Sequence, residues 1–420
     1  MIEITQIQKK RKILMISDHA GSSSGVGCQS RYLINGLIEK GTWSFRQFGA
    51  ALKHENYDIV KVSDDLIIRP IDGFGDRDSI LLTLATEKPD VLLIFTDPRF
   101  FIWLYEMEDE IHKVCPIAYW HVWDNLPYPA YNKVLYEATD LINCHSHLTY
   151  EMVHKEFPDR TNFIPHTLPQ NLFFPFAAAQ KTQVRTQILG KDAKNFNVLW
   201  INRNARRKRP GDVLWAWQKF LHMIAAKYDK SDATLIMHTD PLDQEGPNLF
   251  VIAEMLGIKD NVIFSTERVE FEKMNALHNS VDACVNISYA EGFGLSTLEA
   301  MQCGNPIIAL KTGGLTRQVV DHRDGSENGI ALPVEMQSLV GSQLVPYIYE
   351  DYVTNDTVAL AFLKMYEMGP SGREILGQKA RDYVLSEFNH AKMIDDWDKS
   401  LNKLVDAWKT TKKLWSAETL

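Results

Sequence analysis

Two series of short apolar runs, each alternating with helix-like stretches, constrain this chain more than any other feature. In the first series, apolar runs at 13–17, 91–95, 117–120, 141–144 and 162–165 alternate with helical patterns at 29–39, 100–112 and 131–138. A second series restarts at 197–201 and continues at 234–238, 261–264, 283–287, 306–310 and 329–332. Strands interleaved with helices predict a parallel sheet covered on both faces. The interruption is proline-rich, from Pro165 to Pro175, and a polar stretch at 177–194 follows it. The pattern therefore predicts an α/β protein with two sheets: residues 1–175, a linker at 176–194, and a second unit at 195–388. Met393, Trp397, Leu401, Leu404 and Trp408 recur at spacings of three and four, which predicts a long helix over 391–413.

At 420 residues the chain exceeds one ordinary core and suits two of about 200 residues each. It has no apolar run of about 18 residues, so no membrane-integral segment is expected. Residues 1–12 are polar and then basic, without the apolar stretch of a secretory signal. The five cysteines lie far apart and form no Cys-x-x-Cys pair, as expected of buried thiols in a reducing compartment. A cytoplasmic location is the expectation. A net charge of −9 disfavours a dedicated nucleic-acid binder, whose affinity rests largely on phosphate neutralisation.

The most chemically specific stretch runs from Glu291 to Pro306, Glu-Gly-Phe-Gly-Leu-Ser-Thr-Leu-Glu-Ala-Met-Gln-Cys-Gly-Asn-Pro. It follows one strand-like run and precedes another. Glycines bring backbone amides close to a ligand. A helix beginning there offers unpaired N–H groups and a partial positive charge, which suits a phosphate. The carboxylates Glu291 and Glu299 then remain to bind neutral hydroxyls. If the segment is mostly helical, eight residues at 1.5 Å rise separate them by about 12 Å. That span suits two ends of one ligand and exceeds the roughly 5–9.5 Å of a glycosidase pair.

The Glu-x7-Glu signature, the trailing Ala-Met-x-x-Gly-x-Pro and the later Gly313-Gly314 resemble glycosyltransferase family four. The resemblance implies a GT-B architecture: two facing Rossmann-like domains, with the last helix (389–420) crossing back onto the first. It implies a retaining, metal-independent transferase that uses a nucleotide-diphosphate sugar as co-substrate and no other cofactor. Arg203 and Lys208 match the family's Arg-x4-Lys element. A guanidinium and an ammonium there would stabilise the diphosphate leaving group as its charge grows. Asn202 stands where the family usually has glycine, and Arg317 stands where an acidic residue commonly follows the double glycine.

Further roles follow from the same resemblance. Glu291 would bind sugar hydroxyls and Glu299 the ribose. Gly292, Phe293, Gly294, Leu295 and Ser296 would hold phosphate and sugar through their amides. The Gly/Ser-rich turn after the first strand, with Gly25, Val26 and Gly27, would face the donor diphosphate. It is neither a Gly-x-Gly-x-x-Gly fingerprint nor a P-loop. His121 matches a histidine close to the donor sugar, Asp124 is a candidate for an acceptor hydroxyl, and His166 is expected to be architectural. The acceptor is an unidentified hydroxyl on a glycan, lipid-linked or small molecule. Three other occupations of this architecture stay open. They are glycosylation of hydroxymethylated DNA bases, which the acidic charge disfavours, nucleotide-sugar epimerisation, and non-catalytic nucleotide-sugar binding.

Overall fold

The computed structural model describes residues 10–51, 57–267, 269 and 271–411. The first sheet contains β1 (Arg11–Asp18), β2 (Trp43–Ala50), β3 (Val60–Lys61), β4 (Leu66–Pro70), β5 (Val91–Thr96), β6 (Ile117–His121), β7 (Leu141–Cys144) and β8 (Thr161–Phe163). Their spatial order is β3-β4-β2-β1-β5-β6-β7-β8. Every pair is parallel except β3 with β4. The second sheet is wholly parallel. It contains β9 (Phe196–Ile201), β10 (Ala233–His238), β11 (Val262–Ser265), β12 (Ala283–Asn286), β13 (Ile307–Leu310) and β14 (Gly329–Leu332), in the order β11-β10-β9-β12-β13-β14.

In both sheets the winding direction reverses at the first strand. β1 sits between β2 and β5, and β9 sits between β10 and β12. The loops leaving such strands diverge and open a crevice at the carboxyl edge, where open α/β sheets hold ligands. Central strands of both sheets are apolar and buried on both faces, as their flanking helices require.

Three features differ from the sequence reading. β2 and β4 are full strands that the apolar-run search misses. β2 carries Arg46 and Gln47 in a central position, and Gln47 is buried because its amide bonds the Ser17 hydroxyl (2.8 Å) and the Asp18 carbonyl (3.0 Å). The helix expected over 100–112 is broken into a 3-10 turn (Pro98–Phe101) and two short helices, Ile102–Tyr105 and Glu108–His112. A hairpin of β15 (Met336–Val340) and β16 (Ile348–Tyr352) lies outside both sheets.

The polar stretch after Pro175 carries a helix, Ala178–Leu189. Arg185 ties that helix to the second sheet through Asp282 (2.7 Å) and the Asn195 carbonyl (2.7 Å). The final described helix, His390–Thr411, returns to the first sheet. Its Met393, Ile394, Trp397, Leu401 and Val405 join one apolar cluster with Ile13, Leu33 and Leu93. Trp397 packs on Trp120 at 4.8 Å, and Trp43 donates to Asp398 at 2.7 Å. The remainder of the expected helix, beyond Thr411, lies outside the described residues. No helix among the described residues is long and apolar enough to cross a membrane.

Candidate functional site

The turn after β1 is fixed by its own serines. Ser24 caps the helix Gly25–Glu39 by accepting from the Gly27 amide at 3.0 Å, and its hydroxyl donates to Asp18. Burial pushes the Asp18 carboxyl up, and the Ser24 hydrogen bond opposes that. Gly25 and Val26 face the cleft, but Gly27 does not. A Cβ on Gly27 would lie 2.0 Å from the Ser22 hydroxyl and 2.7 Å from the His19 carbonyl, so glycine is required there by packing.

On the opposite side, the loop after β9 supplies Arg203 and Lys208. Lys208 is buried and forms an ion pair with Glu291, which also accepts from Asn286 (3.3 Å) and Ser288 (3.4 Å). Burial alone would raise the Glu291 carboxyl, but Lys208 and Arg207 outweigh it and hold the group below the usual carboxylate range. Burial draws the Lys208 ammonium below its ordinary value, and Glu291 opposes that shift. Arg203 lies at the rim, with its side chain 63% exposed, and forks onto Asp243 at 2.7 and 3.1 Å.

Glu291 is in a loop, and the helix Leu295–Gln302 begins only four residues later. The helical spacing of about 12 Å expected between the two glutamates therefore does not apply to the whole segment. Gly294 turns the chain into this helix with φ of 90°, a left-handed conformation that suits glycine. The helix's first amides have no intrahelical acceptors and point back toward the loop. Glu299, one turn further on, is held by the buried His278 at 3.1 Å.

The two halves touch beside Gly292. A Cβ there would meet the Asp124 carboxylate at 2.5 Å and His145 Nε2 at 3.0 Å. Gly313 and Gly314 back this loop, and the Gly314 amide donates to the Glu291 carbonyl at 3.0 Å. Asp124 faces Arg207 at 3.6 Å. Burial raises its carboxyl, and Arg207 offsets part of that.

The His121 assignment is corrected by this geometry. Its ring is fully buried, shares a hydrogen bond with the Tyr136 hydroxyl at 2.8 Å, and does not face the cleft. Burial pushes it down to about 3. Its backbone carbonyl instead accepts from His145 Nδ1 at 2.6 Å, which leaves His145 Nε2 toward Gly292 and the cleft. Burial lowers His145 to about 4. His145 directly follows β7, one strand over, and its sequence surroundings, Asn-Cys-His-Ser, carry no recognisable motif. His166 packs on His145 (4.7 Å), Trp120 (5.1 Å) and Phe293 (5.2 Å).

These groups surround one cleft of about 1020 Å³. Arg203, Lys208, Glu291, Asp124, Gly25, Val26, Glu299 and the run Gly292–Ser296 all line it. Sequence reasoning did not find Arg31, Tyr32, Leu168, Phe173, Val269 or Met274, which also line it. Most are ordinary helix or loop residues, brought there only by the docking of the two halves. Among the described residues, no cluster of three or more His, Cys, Asp or Glu is arranged to hold a metal ion.

The family model "Glycosyl transferases group 1" matches residues 196–341. This segment is similar to a group 1 glycosyl transferase domain. D-inositol 3-phosphate glycosyltransferase of Arthrobacter sp. (strain FB24) is 32% identical over 150 residues, 36% of this chain and 34% of that protein. The enzyme of that name from Acidothermus cellulolyticus is 27% identical over 203 residues, 47% of this chain and 43% of its own length. The chain thus spans less than half the length of these relatives. Sucrose-phosphate synthase from Thermosynechococcus elongatus superposes with a TM-score of 0.70 at 18% identity, covering 95% of this chain and 100% of that one. HepE of Anabaena in complex with UDP-glucose gives a TM-score of 0.66 at 16% identity, covering 94% and 100%. At these identities the likeness is one of fold, and the fold is GT-B.

Proposed function

We propose that this chain is a retaining glycosyltransferase that moves a sugar from a nucleotide-diphosphate sugar to an acceptor hydroxyl without a metal ion. The observation that carries this reading is the convergence on one cleft of the Lys208–Glu291 pair, the first turn of the helix Leu295–Gln302 and Glu299. These are a cation, a set of amides and two carboxylates, the groups that a charged diphosphate and two hydroxylated ends require. The group 1 domain match and a structural neighbour solved with UDP-glucose support the choice of donor class.

In this reading the diphosphate lies against the amides of Leu295 and Ser296, with Arg203 and Lys208 facing its oxygens. Glu299 accepts from the ribose hydroxyls and Glu291 from the sugar. The acceptor oxygen bonds to the anomeric carbon as the bond to the phosphate oxygen breaks, on the same face. The acceptor proton passes to a donor phosphate oxygen, and the nucleoside diphosphate leaves. Cations preorganised at that oxygen favour the transition state over the ground state. Closure of the two halves excludes water.

A thermal-shift screen over UDP-, GDP- and ADP-sugars tests the donor class. A true donor at 100 times its Kd adds about 2.7 kcal/mol of stability. Nucleoside diphosphate release is then followed in EDTA. The absence of any shift and any release overturns the transferase reading. Loss of release in EDTA, restored by Mn²⁺ or Mg²⁺, overturns metal independence.

A further inference from the structure

A second cavity of about 490 Å³ adjoins the cleft, and the β15–β16 hairpin roofs it. The hairpin belongs to the second half of the chain yet reaches the first. The Tyr349 amide donates to the Leu126 carbonyl at 2.7 Å, and the Asn125 side chain donates to the Tyr349 carbonyl. Tyr131 donates to the Tyr347 carbonyl at 3.2 Å, and Val345 packs with Trp123 and Met152. The cavity and the cleft share Asp124, Arg207 and Val122, so both spaces open onto one carboxylate.

The charge on its walls is balanced pair by pair. Asp97 takes Arg99 in a fork (2.8 and 2.5 Å), Glu350 takes Arg206 at 2.6 Å, and Asp124 faces Arg207 at 3.6 Å. No other charged residue among those described lines it. Tyr289 and Trp123 add aromatic surface. The Tyr289 hydroxyl and the Trp123 indole N–H are buried without a hydrogen-bond partner among the described residues.

We propose that this hairpin-roofed cavity is the acceptor site, and that it takes a neutral, hydroxyl-rich ring, a sugar or polyol unit. This rests on the transferase reading above. A carboxylate–guanidinium pair offers both an acceptor and a donor to a hydroxyl and no net charge to a phosphate. A phosphorylated acceptor would have to displace one of the three carboxylates from its arginine. Asp124, shared by the two spaces, is placed to orient the acceptor hydroxyl toward the donor sugar.

The test uses the full chain with saturating nucleoside diphosphate. Probes are the methyl glycosides of glucose, mannose and galactose and free myo-inositol, against the corresponding hexose 6-phosphates and a duplex with hydroxymethylated bases. At least one neutral probe binds ten-fold or more tighter than any phosphorylated one. Ser342→Trp, in the hairpin turn, fills the cavity and weakens that probe at least ten-fold, with nucleoside diphosphate affinity within two-fold of wild type. Glu350→Gln releases Arg206 and tightens the hexose 6-phosphates at least five-fold. Failure of every neutral probe, preference for a phosphorylated probe or the duplex, or an unchanged Ser342→Trp variant each overturns the inference. Failure of the nucleoside diphosphate itself to bind instead overturns the transferase reading.

Discussion

Lys208 and Glu291 meet as an ion pair on the floor of the cleft, with side chains only 8% and 11% exposed. Eighty-three positions of chain separate them, and the parallel neighbours β9 and β12 bring their loops together. Removing one partner of such a pair strands the other charge, at a cost of about 3–5 kcal/mol. Lys208→Ala should therefore lower the unfolding free energy by that order, and Lys208→Ala with Glu291→Gln should recover part of it. Denaturant midpoints for the two single variants and the double variant check this. Additive losses would mean that the two side chains do not act as a pair.

The same substitution bears on catalysis. Losing one preorganised donor to a developing charge costs about 2.7–4 kcal/mol in the transition state, roughly 10²–10³ in turnover. Arg203→Ala should fall in this range with a fully folded protein, because the Arg203 side chain is exposed and, among the described residues, bonds only Asp243 at the rim. Near-normal turnover of Arg203→Ala would remove that residue from the leaving-group role.

Glu299 and Glu291 should separate the two ends of one ligand. Glu299→Gln keeps the side-chain shape but loses charge-assisted hydrogen bonds, worth about 1.5–3 kcal/mol each. It should weaken the free nucleoside diphosphate and the sugar donor alike. Glu291→Gln should spare the free nucleotide and penalise the donor. Calorimetry of both ligands with both variants checks the orientation, and identical profiles would show that it is wrong.

Acid should act through the buried histidines at the junction. Burial holds His145 down to about 4, against about 6.5 in an unfolded chain. Between those values the unfolded state binds the proton and the native state does not. The stability contributed by the neutral ring is thus complete above about pH 6.5 and falls as pH drops toward 4, by about 1.4 kcal/mol per pH unit. Urea midpoints of wild type and His145→Gln between pH 7.5 and 4.5 isolate this group. Profiles that run parallel would mean that His145 titrates normally in the folded protein.

How much of this was legible depends on whether the signal was local. The Glu291–Pro306 run announced itself because its glycines, helix formers and carboxylates are contiguous. Arg203 and Lys208 follow an apolar strand at a fixed spacing and were legible for the same reason. β2 was not, because Gln47 and Arg46 break the apolar run, and it is partners on Ser17, Asp18 and Ala20 that make a buried glutamine tolerable. His121 was selected by its resemblance to a family histidine, yet its ring turns to Tyr136, and the residue after β7 next door, His145, lines the cleft. Which way a strand-end side chain faces is set by pleat and packing, and these depend on tertiary neighbours. The β15–β16 hairpin has no counterpart in the sequence reading, because its supporting partners, Leu126, Tyr131 and Trp123, lie in the other half of the chain.

Gly292 offers the most selective probe of how the two halves cooperate. It has no side chain because Asp124 and His145 approach from the first half, and an added Cβ would sit 2.5 Å from Asp124 Oδ1. The atoms it meets are the ends of side chains, so the folded core has little to lose. Gly292→Ala should change the global denaturant midpoint by less than about 1 kcal/mol equivalent, within the range of tolerated substitutions. What must move is the Asp124 carboxylate or the closure of the halves. A displacement of about 1 Å in a positioning group can cost on the order of 10²-fold in rate. Transfer to an acceptor should therefore fall by that order, while the nucleoside diphosphate, held mainly by the second half in the proposed reading, should bind with near wild-type affinity. Calorimetry with the nucleoside diphosphate and a transfer assay on the same preparation check both halves of this statement. Full transfer activity in Gly292→Ala would show that contact between Gly292, Asp124 and His145 is not part of the working geometry.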